Sequence, residues 1–185
     1  MTLTSGTHDI GAQNGMLGIY TYVGGMGAKM GHDLILEAKQ WSGSVTVDAD
    51  NPSGSSVQVT VDARSFEIVQ ATGGMKPLTD KDREEIAKNT EKTLQLGKFP
   101  EITFQSTTVS GSAPAMTVQG DLTIAGTTKP VTLEVAVEEE GGEAVMTART
   151  AVIQTEFGVK PYSKMGALKV KDQVDLEIKF GLPAG

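Results

Sequence analysis

Six stretches of this chain alternate apolar and polar residues with a period of two, and that alternation leaves few folds open. Val57, Val59 and Val61 alternate with Gln58, Thr60 and Asp62, and Ile102, Phe104 and Ser106 alternate with Thr103, Gln105 and Thr107. Met116, Val118, Leu122 and Ile124 face away from Thr117, Gln119, Asp121 and Thr123. Val131, Leu133, Val135 and Val137 do the same against Thr132, Glu134, Ala136 and Glu138. Val174, Leu176, Ile178 and Phe180 form a fifth set, and Leu34, Leu36 and Ala38 a sixth. Successive side chains of a strand point to opposite faces, so each stretch reads as a strand with one buried face. Fainter versions of the pattern predict further strands at 17–23, 43–48 and 145–156, for eight or nine in all.

Turn-forming residues separate these strands: Asn51-Pro52-Ser53-Gly54, Gly111 to Pro114, Gly126-Thr127-Thr128 and Gly141-Gly142. Short strands at this spacing point to an antiparallel meander. Closing it into a barrel removes exposed edges, and a two-sheet sandwich satisfies the same pattern. Residues 79–96 break the rule, being charged and free of Gly and Pro. Thr79 is placed as an N-cap with Asp82 three residues on, Asp80, Asp82, Glu84 and Glu85 sit where the helix dipole favours them, and Gly97 stands as a C-cap. One helix is expected over 79–96. Its thin apolar stripe (Ile86, Leu94, Leu96) places it on the barrel surface or across one end.

Composition narrows the function. A chain of 185 residues holds a full core in one domain. The absence of cysteine excludes disulfides, thiolate nucleophiles and Cys-ligated zinc. The net charge of −7 disfavours nucleic acid and anionic membrane surfaces as partners of the chain as a whole. No apolar run is long enough to span a bilayer, so stable membrane insertion is not expected. Residues 1–16 show no signal-peptide pattern and read as a flexible N-terminal tail, with 182–185 as a C-terminal one. The expected location is cytoplasmic, or periplasmic or secreted if a leader has been removed.

No catalytic set emerges. Gly24 to Gly31 lacks the Gly-Lys-Ser/Thr order of a phosphate loop and the spacing of a dinucleotide fingerprint, and a strand rather than a helix follows it. It reads as a flexible connection. His32 has one other histidine, His8, for company, too few for a zinc site, so no metal is expected. No nucleophile elbow occurs, and Tyr162-Ser163-Lys164 falls in a turn-rich segment. Lys160, Lys164, Lys169 and Lys171 form the one basic concentration, either a solvated hairpin or an attractor for an anionic headgroup. Met26, Met30, Met75 and Met165 fall in loop segments, as filler or as adaptable apolar surface at an entrance.

Two longer motifs carry a family likeness. Lys98-Phe99-Pro100-Glu101-Ile102-Thr103-Phe104-Gln105-Ser106, and Gly120-Asp121-Leu122-Thr123-Ile124-Ala125-Gly126-Thr127-Thr128-Lys129-Pro130-Val131-Thr132-Leu133, resemble the YceI-like family of polyisoprenoid-binding proteins. The resemblance covers roughly residues 17–181. It implies an eight-stranded, lipocalin-like antiparallel barrel with an elongated apolar tunnel for an isoprenoid or other lipid, and no cofactor. On that reading the inward-facing set is Leu34, Leu36, Trp41, Val59, Phe66, Phe104, Leu122, Ile124, Leu133, Val135, Leu176 and Ile178. His32, Lys160 and Lys164 are the candidate headgroup contacts. The expected function is binding, storage or transport of a long apolar molecule, with a homodimer left open. The alternatives are a small hydrolase or isomerase using His32 with nearby carboxylates, or a surface-interaction or stress module whose barrel is filled by side chains.

Overall fold

The structure, a computed structural model, describes residues 3–184. Its strands are β1 (Gly6–Gly11), β2 (Gly15–Thr21), β3 (Val23–Gly24), β4 (His32–Ala38), β5 (Trp41–Val47), β6 (Ser56–Asp62) and β7 (Phe66–Gly73). Helix α1 (Asp80–Leu94) follows, and then β8 (Glu101–Ser112), β9 (Ala115–Ile124), β10 (Thr127–Glu140) and β11 (Glu143–Ile153). The chain ends with β12 (Ser163–Lys164), β13 (Leu168–Val170) and β14 (Gln173–Pro183).

The large sheet has eleven segments in the order β1-β5-β6-β8-β9-β10-β11-β14-β2-β4-β7. Three pairs of these segments are halves of single bent strands. Gly6 to Gly11 pair with Val47 to Ser42, and Gly18 to Thr21 pair with Glu37 to Leu34, so partner numbers fall steadily along 6–21. The β5–β6 and β4–β7 registers join 32–47 and 56–73 in the same way. Counted so, eight long antiparallel strands pair in sequence order, and β14 returns to pair with β2. The ring closes, as the resemblance implied, which decides between the barrel and the sandwich that the alternation left open.

Local chemistry makes the bends. Asn14 Oδ1 accepts the Gly11 N–H at 2.9 Å, while Asn14 Nδ2 donates to the Asp9 carbonyl. Ser65 Oγ accepts the Gln40 N–H at 2.9 Å and donates to the Asp62 carbonyl at 2.6 Å. The backbone groups that leave the ladder at each bend thus keep partners, which buried peptide groups require. Bulges and bends of this kind supply the curvature that a small barrel needs.

The expected tail at 1–16 needs correction. Residues 6–11 form a barrel strand, and Ile10 is 1% exposed in the core. At the other end β14 runs to Pro183, with Leu182 buried. The sequence reading missed β1 because THDIGAQ holds one large apolar residue.

The helix is shorter than predicted. Thr79 and Asp82 form the expected capping box, but the helix ends at Leu94. Gln95, not Gly97, takes the left-handed conformation, with φ of 53°. The N–H groups of Gln95 and Leu96 return to the carbonyls of Lys92 and Glu91, a closure in which an apolar residue follows the left-handed one. That residue is Leu96, which is buried; its burial outweighs the backbone preference for glycine.

The two ends of the barrel differ. Chain segments 22–31, 74–100 and 154–172 all cross one end, called here the helix end. A second, three-stranded sheet in the order β12-β13-β3 forms there from the first and last of these segments. The opposite end, called the hairpin end, carries the β5–β6, β8–β9 and β10–β11 connections.

Candidate functional site in the barrel interior

A cavity of about 310 Å³ occupies the barrel, at the lower end of the range for small-molecule pockets. It runs lengthwise. Thr21, Tyr162, Val170 and the α1 residues Asn89, Thr90, Thr93 and Leu94 bound it at the helix end, and Leu3, Val47, Ser55 and Ser56 at the hairpin end. On β14 the lining extends from Val174 to Phe180, about 20 Å of strand at 3.3–3.4 Å per residue. Leu34, Phe104, Leu133, Leu176 and Ile178 all line it and are only partly buried, so the interior is hollow enough to leave their surfaces uncovered.

Two details of the strands shape this space. Pairing of β8 with β9 shifts between Ser106 and Thr108. This bulge moves the inward positions from Ile102 and Phe104 to Val109, interrupting the alternation predicted over 102–107. Ser106 Oγ accepts the Val57 N–H at 2.9 Å, just beyond the last β6–β8 pair. Gly120 lies under the Phe104 ring: a Cβ there would stand 2.4 Å from Phe104 Cζ and 2.5 Å from the Gln105 carbonyl oxygen.

Eleven of the twelve side chains predicted to face inward line the cavity. Trp41 is the exception. It is buried in the core cluster with Ile10 and Phe180, its indole Nε1 has no hydrogen-bond partner, and it does not line the cavity. It packs over Gly15, where a Cβ would come within 3.1 Å of its Cη2.

The predicted headgroup contacts lie elsewhere. His32 Nε2 is 2.8 Å from the Lys76 carbonyl, its ring packed against Gly74, so it fastens the loop after β7. The adjacent Asp33 accepts the Val23 N–H at 2.8 Å. Lys164 Nζ stands 3.8 Å from Glu85, and neither it nor Lys160 lines the cavity. Period-two and composition arguments could not locate these side chains: His32 is the first residue of β4, Lys164 lies in the two-residue β12, and Lys160 lies in the loop before it. Among the described residues, no three His, Asp or Glu side chains converge as metal ligands would.

At the helix end, polar residues reach the cavity from the helix and the β11–β14 connection, along with Thr21 of β2, and the sequence pattern did not mark them. Asn89, Thr90, Thr93 and Leu94 recur at helical spacing on one face of α1, and that face closes the barrel. Thr90 Oγ1 donates to the Ile86 carbonyl at 2.9 Å, leaving its methyl free to face the interior. Gln154 Nε2 donates to the Lys171 carbonyl at 3.0 Å. A search for apolar stripes misses such a face. The available signal was the helix's predicted place across one end.

Charges around the site follow from neighbours. Tyr22 donates its hydroxyl to Asp175 Oδ2 at 2.6 Å, and that bond, with some burial, pushes its pKa up to about 12. Burial, then the nearby Glu177 charge, raises that of Tyr20. The Thr79 N–H and hydroxyl hold the Asp82 carboxyl below the usual carboxylate range.

A closed eight-stranded meander around an apolar space, with one helix across an end, defines a lipocalin-like barrel. The chain belongs to the YceI-like family: the family profile described as YceI-like domain matches residues 19–182. Among curated relatives, a UPF0312 protein of Yersinia enterocolitica is 36% identical over 103 residues, which are 56% of this chain and 48% of that protein. Protein YceI of Salmonella arizonae is 33% identical over 105 residues, 57% of this chain and 49% of that one. The matched region thus spans about half the length of these relatives. In three dimensions the chain is similar to Burkholderia cenocepacia BcnA, with a TM-score of 0.69 at 17% identity over 90% of this chain and 95% of that one. The Campylobacter jejuni YCEI protein follows at 0.62 and 14%, over 81% and 84%. No helix among the described residues is long and apolar enough to cross a membrane.

Proposed function

We propose that the protein binds one long apolar molecule, of isoprenoid or similar lipid type, along the barrel axis, and works by holding it rather than transforming it. The carrying observation is the lengthwise cavity with its nearly continuous apolar lining. Energetics favours a long ligand. Ten buried methylenes supply about 8 kcal/mol. Association costs roughly 4–15 kcal/mol. A short hydrocarbon therefore gains little, while a longer chain binds firmly without any charged contact. The ligand's polar end sits by Asn89, Thr93 and Tyr162, which replace His32, Lys160 and Lys164 as the groups that orient it.

Native mass spectrometry and organic extraction of the purified protein test this reading. An adduct that extraction recovers as a long apolar molecule is the expected result. Leu122→Trp, which inserts a larger ring into the cavity lining, should weaken binding of a fluorescent polyprenyl probe by at least tenfold while leaving the melting transition in place. A clean protein that takes up no apolar probe would overturn it.

A further inference from the structure

At the helix end three loops carry exposed methionines. Met26 is 98% exposed, Met165 96%, Met75 77% and Met30 69%. None of them lines the cavity, so they do not serve as the entrance lining the sequence had allowed for. Thioether side chains held in water invite a partner, since exposed large apolar residues grouped together mark contact surfaces.

The loops are neighbours. Gly27 N–H donates to the Ala167 carbonyl at 3.0 Å, and Gly31 lies against Leu168 and Val23. Strand β13 pairs with both β3 and β12. His32 anchors the third loop through the Lys76 carbonyl, and Lys164 reaches Glu85 on α1.

Their charge is one-sided. Segments 24–31, 73–78 and 160–171 contain six of the chain's sixteen Lys and Arg residues (Lys29, Lys76, Lys160, Lys164, Lys169, Lys171) and no carboxylate, in a protein of net charge −7. Methionine and lysine adjoin repeatedly, at Lys29-Met30, Met75-Lys76 and Lys164-Met165. The carboxylates bordering these loops are already engaged: Asp33 accepts the Val23 N–H and Asp172 the Thr155 N–H, and the others come from the first turns of α1. Asp82 is engaged by Thr79, and Glu85 pairs with Lys164.

We infer that this Met–Lys surface docks the helix end of the barrel onto an anionic lipid bilayer, with the methionines entering the interface and the lysines facing lipid phosphates. Flexible apolar tips among cations match the two terms of peripheral membrane binding: buried apolar area, and attraction to anionic lipid. The docked end is the one where Thr21, Tyr162 and α1 bound the cavity. The inference rests on the surface alone and stands whether or not the barrel holds a ligand.

The test is co-sedimentation of full-length protein with phosphatidylcholine vesicles, with and without phosphatidylglycerol. Binding should require phosphatidylglycerol and weaken with salt. Lys29→Ser combined with Lys169→Ser should lower the partition coefficient about 25-fold, at roughly fivefold per lysine. Replacing all four methionines by serine should abolish binding, while Glu139→Ser with Glu140→Ser at the hairpin end should not reduce it. Met165→Trp gives a second readout, a blue shift on adding anionic vesicles and quenching by brominated lipid, which reports insertion even if the quadruple variant misfolds. Absence of binding to anionic vesicles would overturn the inference, as would binding indifferent to these substitutions. So would self-association that the methionine substitutions remove without any effect of vesicles, which would make the surface an interface between copies. Extraction of ligand from the same samples reports on the barrel separately.

Discussion

At one end of the barrel the strands are joined by hairpins; at the other they are joined mainly by three long segments, one of which carries the helix. The hairpin tips at 125–126, though short, lie on the helix side, whereas those at 141–142 and 113–114 belong to the opposite end. Asp48, Asp50, Glu138, Glu139, Glu140 and Glu143 collect at the hairpin end, relieved by the Lys179–Glu140 contact at 3.4 Å. The helix end carries the lysine loops. A net charge of −7 averages over this polarity. The hairpins complete the barrel's own ladder; the helix and loops are additions to a ladder already closed.

If that contrast is right, damage to a hairpin is felt globally. Gly141 and Gly142 both have positive φ, 60° and 87°, the pair that a two-residue hairpin turn demands. Left-handed backbone costs an ordinary residue roughly 1–2 kcal/mol. Gly141→Val with Gly142→Val should therefore remove about 2–4 kcal/mol from the whole barrel. Urea unfolding followed by Trp41, the single tryptophan and a core residue, would show the loss as a lower midpoint. An unchanged midpoint would mean the β10–β11 turn frays alone.

The same division explains what could be read from the chain. Strands β9, β10 and β14 alternate over long runs with one buried face, as β8 does up to its bulge, and period two located both these strands and the cavity lining on them. The N-terminal half was less legible. Bends at Asn14, Gln40 and Ser65 split three strands, and their cause is side-chain hydrogen bonding to backbone, which leaves no periodic trace. Trp41 fits an inward position yet packs over Gly15, a match that only the folded pairing creates. At the helix end His32, the first residue of β4, is held by the Lys76 carbonyl, and Lys160 and Lys164 lie beside or in the two-residue β12, where no sequence period reports on direction.

Damage to the helix end should stay local. Thr79→Ala removes the hydroxyl that accepts the Asp82 N–H, a loss of about 0.5–2 kcal/mol for an N-cap. Hydrogen exchange should quicken over the first turns of α1 by up to about thirtyfold, since 1.4 kcal/mol is a factor of ten. The Trp41 urea midpoint should move less than in the hairpin variant. Equal shifts in both would show that helix and barrel unfold as one unit, and the distinction between the ends would fail.

The smallest effects are titrations, and both groups lie at the helix end. The Asp82 pKa is depressed, so its contribution is present above the unfolded value near 3.9 and is lost as pH falls through the folded one. Acid should loosen the start of α1 first, seen as faster exchange at 80–86 than in β11. The Tyr22 pKa is raised to about 12, so the opposite sign applies. Its bond to Asp175 is fully in place below about pH 10, the ordinary phenol value, and is lost as pH rises through about 12. Spectrophotometric titration should show a phenolate component near 12 that Tyr22→Phe removes and Asp175→Asn moves toward the ordinary value. Because Tyr22 lies between β2 and β3, that bond fastens the loop sheet to β14, and its loss should free the Met–Lys loops without opening the barrel. A fall in Trp41 core signal in step with the Tyr22 titration would instead place the phenol in the barrel's cooperative unit.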